Sequence, residues 1–214
     1  MTNVDRVERW VRLAGAIAVL PPLVAVFWGL GKGLRRPSGR ETGRARALLR
    51  GPVLTVETIL FFGACATLWR PVRRQPSGPL RALALVLGTV LYFPGLALVM
   101  WGRIALGAMF NVSSGFGARL YAGHRLVSGG PFAIVRHPVY LGYLLAAVGG
   151  LLLYRTWTLV LLVAISPALV LRARREEEAL AGEFGEAWEA YRRRVPAWLP
   201  RLPQLPAEAS PAKR

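Results

Sequence analysis

An all-α, polytopic membrane fold with about five transmembrane helices and a cytoplasmic amphipathic C-terminal helix is what this sequence predicts. Three observations carry that reading. Mean hydropathy is +0.39 and 54% of the 214 residues are hydrophobic, yet the formal net charge is +17. A soluble domain has no use for so much apolar material, whereas a membrane protein keeps it in spans and its basic residues in loops. The apolar residues also fall in runs approaching the roughly 20 helical residues that cross a bilayer core. Finally, the arginines sit between these runs rather than along a helix face with aromatics, which argues against a nucleic-acid partner.

The runs come in order. Residues 10–30 form the first, and Pro21-Pro22 should kink it, which membrane helices tolerate. The run is too long for the apolar part of a signal peptide, lacks a small-residue cleavage site, and ends in a basic stretch from Lys32 to Arg36, so it reads as a retained span. Residues 52–69 and 80–101 are the second and third. Residues 138–154 and 157–171 are shorter and only Arg155 and Thr156 separate them, which reads as a tight helical hairpin. One continuous helix of that length would overshoot the bilayer at 1.5 Å per residue. The chain thus divides into three N-terminal helices (1–101), a loop, hairpin and C-terminal helix (102–203), and a loose Pro/Ala-rich tail (204–214).

Orientation follows the distribution of Lys and Arg. With five spans, loops 32–51 and 102–137 and everything from Arg172 onward share one side and carry 20 of the 28 basic residues. By the positive-inside rule that side is cytoplasmic and the N-terminus lies outside. The Arg-, Ala-, Gly- and Pro-rich composition points to a bacterial cell membrane. The lone Cys65 excludes an intrachain disulfide, and with His124 and His137 the only histidines, no metal-ligand spacing exists.

Chemistry concentrates in two places. In GGPFAIVRHPVYLGY, residues 129–143, Gly129-Gly130-Pro131 signals a turn and Pro138 suits the first position of a helix. His137 is biased to an extended conformation by the proline after it. Arg136 and His137 therefore stand at the mouth of the fourth helix, Tyr140 and Tyr143 lie in its first turns, and Gly142 leaves room for close approach. The bland alternative is a basic anchor, interface tyrosines and a helix-starting proline. The second place is residues 171–200. Leu180, Phe184, Trp188 and Tyr191 recur on one helical face, while Arg172 and Glu176 share a face at the exit of the fifth run, with Glu177 beside them. A plain helix ion pair is the bland alternative there.

Together the two blocks resemble the isoprenylcysteine carboxyl methyltransferase family and, more loosely, phospholipid N-methyltransferases. The first block is Leu126-Val127, Gly130-Pro131-Phe132, then Arg136-His137-Pro138, Tyr140 and Gly142. The second is Arg172, Glu176-Glu177, Leu180, Phe184-Gly185, Trp188, Tyr191, then Val195-Pro196 and Pro200. Phe132 and Trp188 replace tyrosines usual in the family, keeping a ring and losing a hydroxyl. The likeness covers roughly residues 100–200, and the first 100 carry no signature.

The resemblance implies S-adenosylmethionine as cofactor, bound on the cytoplasmic side under the C-terminal helix, and a lipophilic small molecule or lipid-modified substrate arriving from the bilayer. It implies that His137 and backbone groups near Val127 and Pro131 meet the polar parts of the cofactor, and that Gly142 lets the cofactor approach closely. Tyr140 and Tyr191 would pack on adenine or sulfonium, and Glu176 or Glu177 would hold the amine or ribose hydroxyls. A carboxylate acceptor is already ionised and needs no general base, only an orienting guanidinium, for which Arg172 or Arg136 is suited. An amine acceptor would need a base, Glu177 or His137. An NADPH-dependent sterol-type reductase shares the Arg-His-Pro-x-Tyr segment, but has asparagine where this chain has Val139. A non-catalytic membrane scaffold would not be expected to keep these polar residues. Oligomeric state cannot be read from the sequence.

Overall fold

The computed structural model describes residues 3–35, 38–43, 51–73, 76–110, 112–114, 117–121 and 123–201. The tail expected to be loose, 204–214, lies outside them.

Eight α-helices appear among these residues. α1 (Asn3–Ala18) and α2 (Leu20–Leu34) are the first apolar run, interrupted at Val19. The interruption falls just before Pro21-Pro22, whose missing N–H groups cannot continue the ladder. α3 (Gly51–Thr67) is the second run and α4 (Gly78–Leu106) the third. α5 (Pro138–Tyr154) and α6 (Trp157–Ile165) form the hairpin, and α7 (Ala168–Phe184) and α8 (Glu186–Arg194) complete the chain. The fifth run is not one straight helix: α6 and α7 meet at a bend of 40°. The intervening Ser166-Pro167 explains it, since Pro167 removes a backbone donor. Beyond Leu171, seven charged side chains between Arg172 and Glu183 carry α7 out of the apolar region.

By length and composition, residues 3–29 and 78–109 can each cross a membrane, and the bent pair α6–α7 makes a third span if taken as one. Residues 52–67 and 138–154 are shorter apolar helices. Their exposed hydrophobics, among them Val24, Phe27, Ile59, Leu60, Leu83 and Val90, have no use in water. This is a membrane protein.

The core is the pairing of α4 with α5, and glycine makes it possible. A Cβ on Gly95 would lie 2.6 Å from the Ala146 nitrogen, and one on Gly149 2.4 Å from that of Tyr92. Small residues let two backbones approach where lipid offers no hydrophobic drive for association. Leu85, Tyr92, Leu96, Ala146 and Leu153 fill the buried seam.

The described chain is mostly helical, as the all-α expectation has it, and its loops add a small sheet that was not expected. β1 (Ser38–Gly43), β2 (Val112–Ser114) and β3 (Gly117–Tyr121) form a small antiparallel sheet in the order β1-β3-β2, with Glu41 opposite Arg119 and Val112 opposite the same residue. The loops after α2 and α4 leave the bundle at one end, where pairing satisfies backbone groups that would otherwise be exposed. Ala118 and Leu120 are buried with Ala179 of α7. The three strands and the C-terminal helix α7 together form a cap over one end of the bundle.

Candidate active site

Under that cap, the start of α5 is held from above by the chain after α8. A 3-10 turn, Gly130–Ala133, leads in, with Gly130 at φ +60, a conformation glycine adopts without strain. His137 then caps α5 at φ −122 and ψ 55, short of the extended conformation expected before a proline, and Pro138 occupies the first turn. The main-chain N–H of Arg136 donates to the Pro196 carbonyl (2.8 Å) and that of His137 to Ala197 (3.1 Å). These bonds lay residues 195–198 across the helix mouth as a strap, and the Trp198 ring centroid sits 5.3 Å from that of His137.

Side chains from α5 and α7 meet beneath the strap. His137 Nε2 lies 2.7 Å from Glu177 Oε1, and Arg136 Nε donates to the same oxygen at 3.0 Å. Arg136 Nη1 donates to the carbonyls of Val195 (2.9 Å) and Arg192 (3.1 Å). Arg136 is thus a clamp joining α5, α7 and the strap, and little of its guanidinium is left for a ligand. Burial pushes the Glu177 carboxyl up, but the bonds and charges of His137 and Arg136 together outweigh it and hold it below its ordinary value. One turn on, the Tyr140 hydroxyl donates to Glu176, and the His137 and Tyr140 rings stack at 5.8 Å. The Arg172 guanidinium carbon sits 5.3 Å from the Tyr140 ring centroid, with Nε 3.9 Å from Glu176. Tyr191 donates its hydroxyl to the Phe132 carbonyl at 2.8 Å, and burial raises its pKa to about 12.

These residues border a cavity. Its lining includes Val127, Arg136, His137, Tyr140, Glu176 and Tyr191, six of the ten residues singled out in the sequence. The walls enclose roughly 720 Å³, open mouth included, and the clear interior is about 80 Å³. The remaining four lie elsewhere. Glu177 stands behind His137 and Arg136. Arg172 lies beside Tyr140. Pro131 is buried in the entering turn. Gly142 faces α4, where an added Cβ would meet the Gly95 carbonyl at 2.7 Å, so its space is taken by helix packing rather than by the cavity.

Sequence reasoning missed the apolar walls and His124. Met109 and Phe110 border the cavity after α4, and His124 closes it beside Leu126, its ring 6.2 Å from Phe184. Burial lowers the His124 pKa despite the Glu183 and Glu176 charges. A lone histidine in a loop carries no pattern that could have found it. The aromatic face was read as one helix, whereas Gly185 at φ +50 breaks it into α7 and α8. Trp188, Tyr191 and Val195 still pack with Leu180 and Phe184 in one cluster, because the turn redirects the chain without separating the side chains. Just outside the cavity, the α4 arginine Arg103 is buried, donates to the Ala25 carbonyl at 2.6 Å and lies 3.5 Å over the Phe110 ring. Among the described residues, no cluster of His, Cys, Asp or Glu could hold a metal ion.

The sequence that builds most of this site is similar to known proteins. Residues 83–187 match the family described as phospholipid methyltransferase. A protein-S-isoprenylcysteine O-methyltransferase of Schizosaccharomyces pombe is 35% identical over 82 residues, 37% of this chain and 35% of that protein. Its Mus musculus namesake is 31% identical over 121 residues, 53% of this chain and 43% of that protein. Methanethiol S-methyltransferase 2 of Bradyrhizobium diazoefficiens is 41% identical over 78 residues, 33% of this chain and 27% of that protein. The chain spans less than half the length of each of these relatives. The matched region holds most of the α4–α5 pair, most of the cavity lining and the clustered polar residues of α7, and over it this chain is similar to the phospholipid methyltransferase family and to isoprenylcysteine methyltransferases.

Proposed function

We propose that this protein transfers the methyl group of S-adenosylmethionine to a carboxylate on a lipophilic acceptor. The single observation that carries this reading is the cavity at the mouth of α5, which sets an acidic side chain, a histidine and aromatic rings against an apolar wall. Those residues fit the cofactor. Glu176 suits its amine or ribose hydroxyls, Tyr140 and Tyr191 suit adenine or sulfonium, and Val127 and Leu126 supply apolar wall. When bound, the cofactor supplies an electrophilic methyl group. Roughly 300–1,000 Å³ is the ordinary size of a ligand site, so the narrow interior widens on binding.

Among this chain's residues, Arg172 is the orienting guanidinium, because Arg136 is committed to Glu177 and two carbonyls. Glu177 is equally committed, to Arg136 and His137, and is therefore ill placed to take a proton from an amine. That favours an acceptor already ionised at neutral pH over a phospholipid amine. The relatives named for isoprenylcysteine O-methyl transfer agree with a nucleophile that needs no base. Methyl transfer to a carboxylate then asks of the protein only alignment and exclusion of water.

The same reading takes the chain as five spans, in which α5 runs beside α4 and α6 with the start of α7 forms the last. It places the cap and C-terminus in the cytoplasm, the N-terminus outside, and the whole in a bacterial cell membrane. Residues 1–101 form the membrane scaffold and 102–203 the catalytic region.

Calorimetry on the detergent-purified full chain tests this. Wild type binds S-adenosylmethionine and its demethylated product, while Glu176→Ala and His137→Ala lose that binding. Radiolabelled methyl then appears on a prenylated or fatty carboxylic acid in a base-labile form. Binding of NADPH alone, or label only in amine headgroups, overturns the proposal.

A further inference from the structure

The other end of the bundle holds a second polar cavity, about 25 Å from the first along the 17 residues of α5. It is lined by Glu8, Arg12, Pro71, Pro76, Arg81, Tyr154 and Arg155 and has a clear volume of about 340 Å³. Glu8 is 3% exposed and is saturated by three guanidinium groups. Its Oε2 accepts from Arg81 Nε at 2.6 Å, and its Oε1 meets Arg12 Nη2 at 2.5 Å and Arg155 Nη2. Arg81 also reaches Asp5 at 2.7 Å. Three cations against two carboxylates leave the cluster one positive charge in excess. Arg155 is 9% exposed and held in the left-handed region at φ 55, and its Nε is buried without a hydrogen-bond partner. A buried charged donor left unmet is costly, so a wall of this cavity has a place for an acceptor.

The walls are fixed rather than fortuitous. Val72 donates its N–H to the Arg155 carbonyl at 2.8 Å and Trp157 to Arg70 at 3.0 Å, tying the loop after α3 to the α5–α6 turn. Tyr154 donates to the Arg12 carbonyl at 2.7 Å and Arg12 Nε to Leu153 at 2.8 Å. Three exposed tryptophans, Trp10, Trp69 and Trp157, surround this end. Exposed tryptophans belong at the lipid–water interface, the depth at which lipid phosphates lie.

We propose that the Arg12–Arg81–Arg155 cavity is an anion site for a phosphate group, the headgroup of a lipid in the leaflet opposite the active-site end. An oxyanion supplies both the missing charge and an acceptor for the Arg155 Nε. The site lies away from the methyltransferase cavity and does not depend on any activity there.

The test is calorimetric titration of the delipidated full chain in an uncharged maltoside detergent. Probes are dioctanoyl phosphatidylglycerol, dioctanoylglycerol and inorganic phosphate. Wild type is expected to bind the phosphatidylglycerol saturably and to ignore dioctanoylglycerol. Arg81→Gln and Arg12→Gln, each removing charged hydrogen bonds, should bind about tenfold or more weakly, while Arg6→Gln, an exposed arginine of α1 outside the cluster, binds as wild type. Arg12 also holds the Leu153 carbonyl of α5, whereas among the described residues Arg81 bonds only to the Glu8 and Asp5 side chains, so the Arg81→Gln variant keeps the test open if Arg12→Gln does not fold. Equal binding of inorganic phosphate, with the same loss in both variants, supports the anion site and assigns it to a free oxyanion rather than a headgroup. No binding of either phosphate probe, or binding unchanged in Arg81→Gln, overturns the proposal and leaves Glu8 and its arginines as an ion-pair latch.

Discussion

His137 and Glu177 lie 2.7 Å apart, Nε2 to Oε1, and the pair links the first residue before α5 to the middle of α7. The same carboxylate takes Arg136 Nε at 3.0 Å. One acidic group therefore holds two consecutive residues whose own N–H groups are held by the strap. Glu177→Gln keeps the shape and removes the charge. It should lower stability by roughly 1.5–3 kcal/mol, the usual worth of hydrogen bonds to charged groups, read as a lower melting temperature in detergent. Glu176→Gln, whose partner is the Tyr140 hydroxyl, should cost less stability and more cofactor affinity.

The Glu177 pairing also sets a pH dependence. Its carboxyl is held below the ordinary value of 4.5 in the folded chain. A depressed carboxylate contributes stability that is fully present above the unfolded value and disappears as pH falls through the folded one. The gap in melting temperature between wild type and Glu177→Gln should be widest and flat above pH 4.5 and close in more acidic solution. A gap that persists unchanged at pH 3 would mean that the carboxylate charge does not account for it.

How much of this was legible beforehand differs by part. The run 138–154 coincides with α5 because Pro138 at its start and Arg155 in the left-handed region at its end leave little freedom. The His137, Tyr140 and Glu176 lining was legible because a dense polar cluster between apolar runs has few uses. The Arg136–Glu177 clamp was not, since a charged pair 41 residues apart leaves no periodic trace. Nor was the sheet: Ser38–Gly43 and Gly117–Tyr121 are glycine-bearing segments without alternation, and they pair only because two loops emerge together. The bend at Pro167 was open to reading, and the apolar run across it concealed it.

Arg172 and Tyr140 give a test of the orienting role. The guanidinium lies 5.3 Å from the ring, where a cation and an aromatic face attract. Arg172→Lys keeps the charge but loses the planar fork that matches a carboxylate. It should cut kcat/KM by roughly tenfold to a hundredfold, the 1.4–2.8 kcal/mol of a lost charged bond, while cofactor affinity stays within a few fold. Steady-state methyl transfer beside calorimetry separates the two, and an equal loss in both would assign Arg172 to the cofactor instead.

Gly149 tests the membrane seam independently of chemistry. A Cβ there would stand 2.4 Å from the Tyr92 nitrogen and 2.8 Å from the Gly88 carbonyl, both backbone atoms of α4 that cannot rotate away. Gly149→Ala must therefore push α4 and α5 apart, and overpacking of this kind costs about 1–3 kcal/mol or more. Gly63 of α3 has nothing within 4 Å of its added Cβ, so Gly63→Ala should leave stability unchanged or raise it slightly. Because α5 carries His137 and Tyr140 at its other end, a tilt produced at Gly149 also misaligns the cavity. Melting temperature and cofactor affinity should fall together in Gly149→Ala and stay level in Gly63→Ala, and a stable Gly149→Ala protein would show that the two helices are not closely packed in the bilayer.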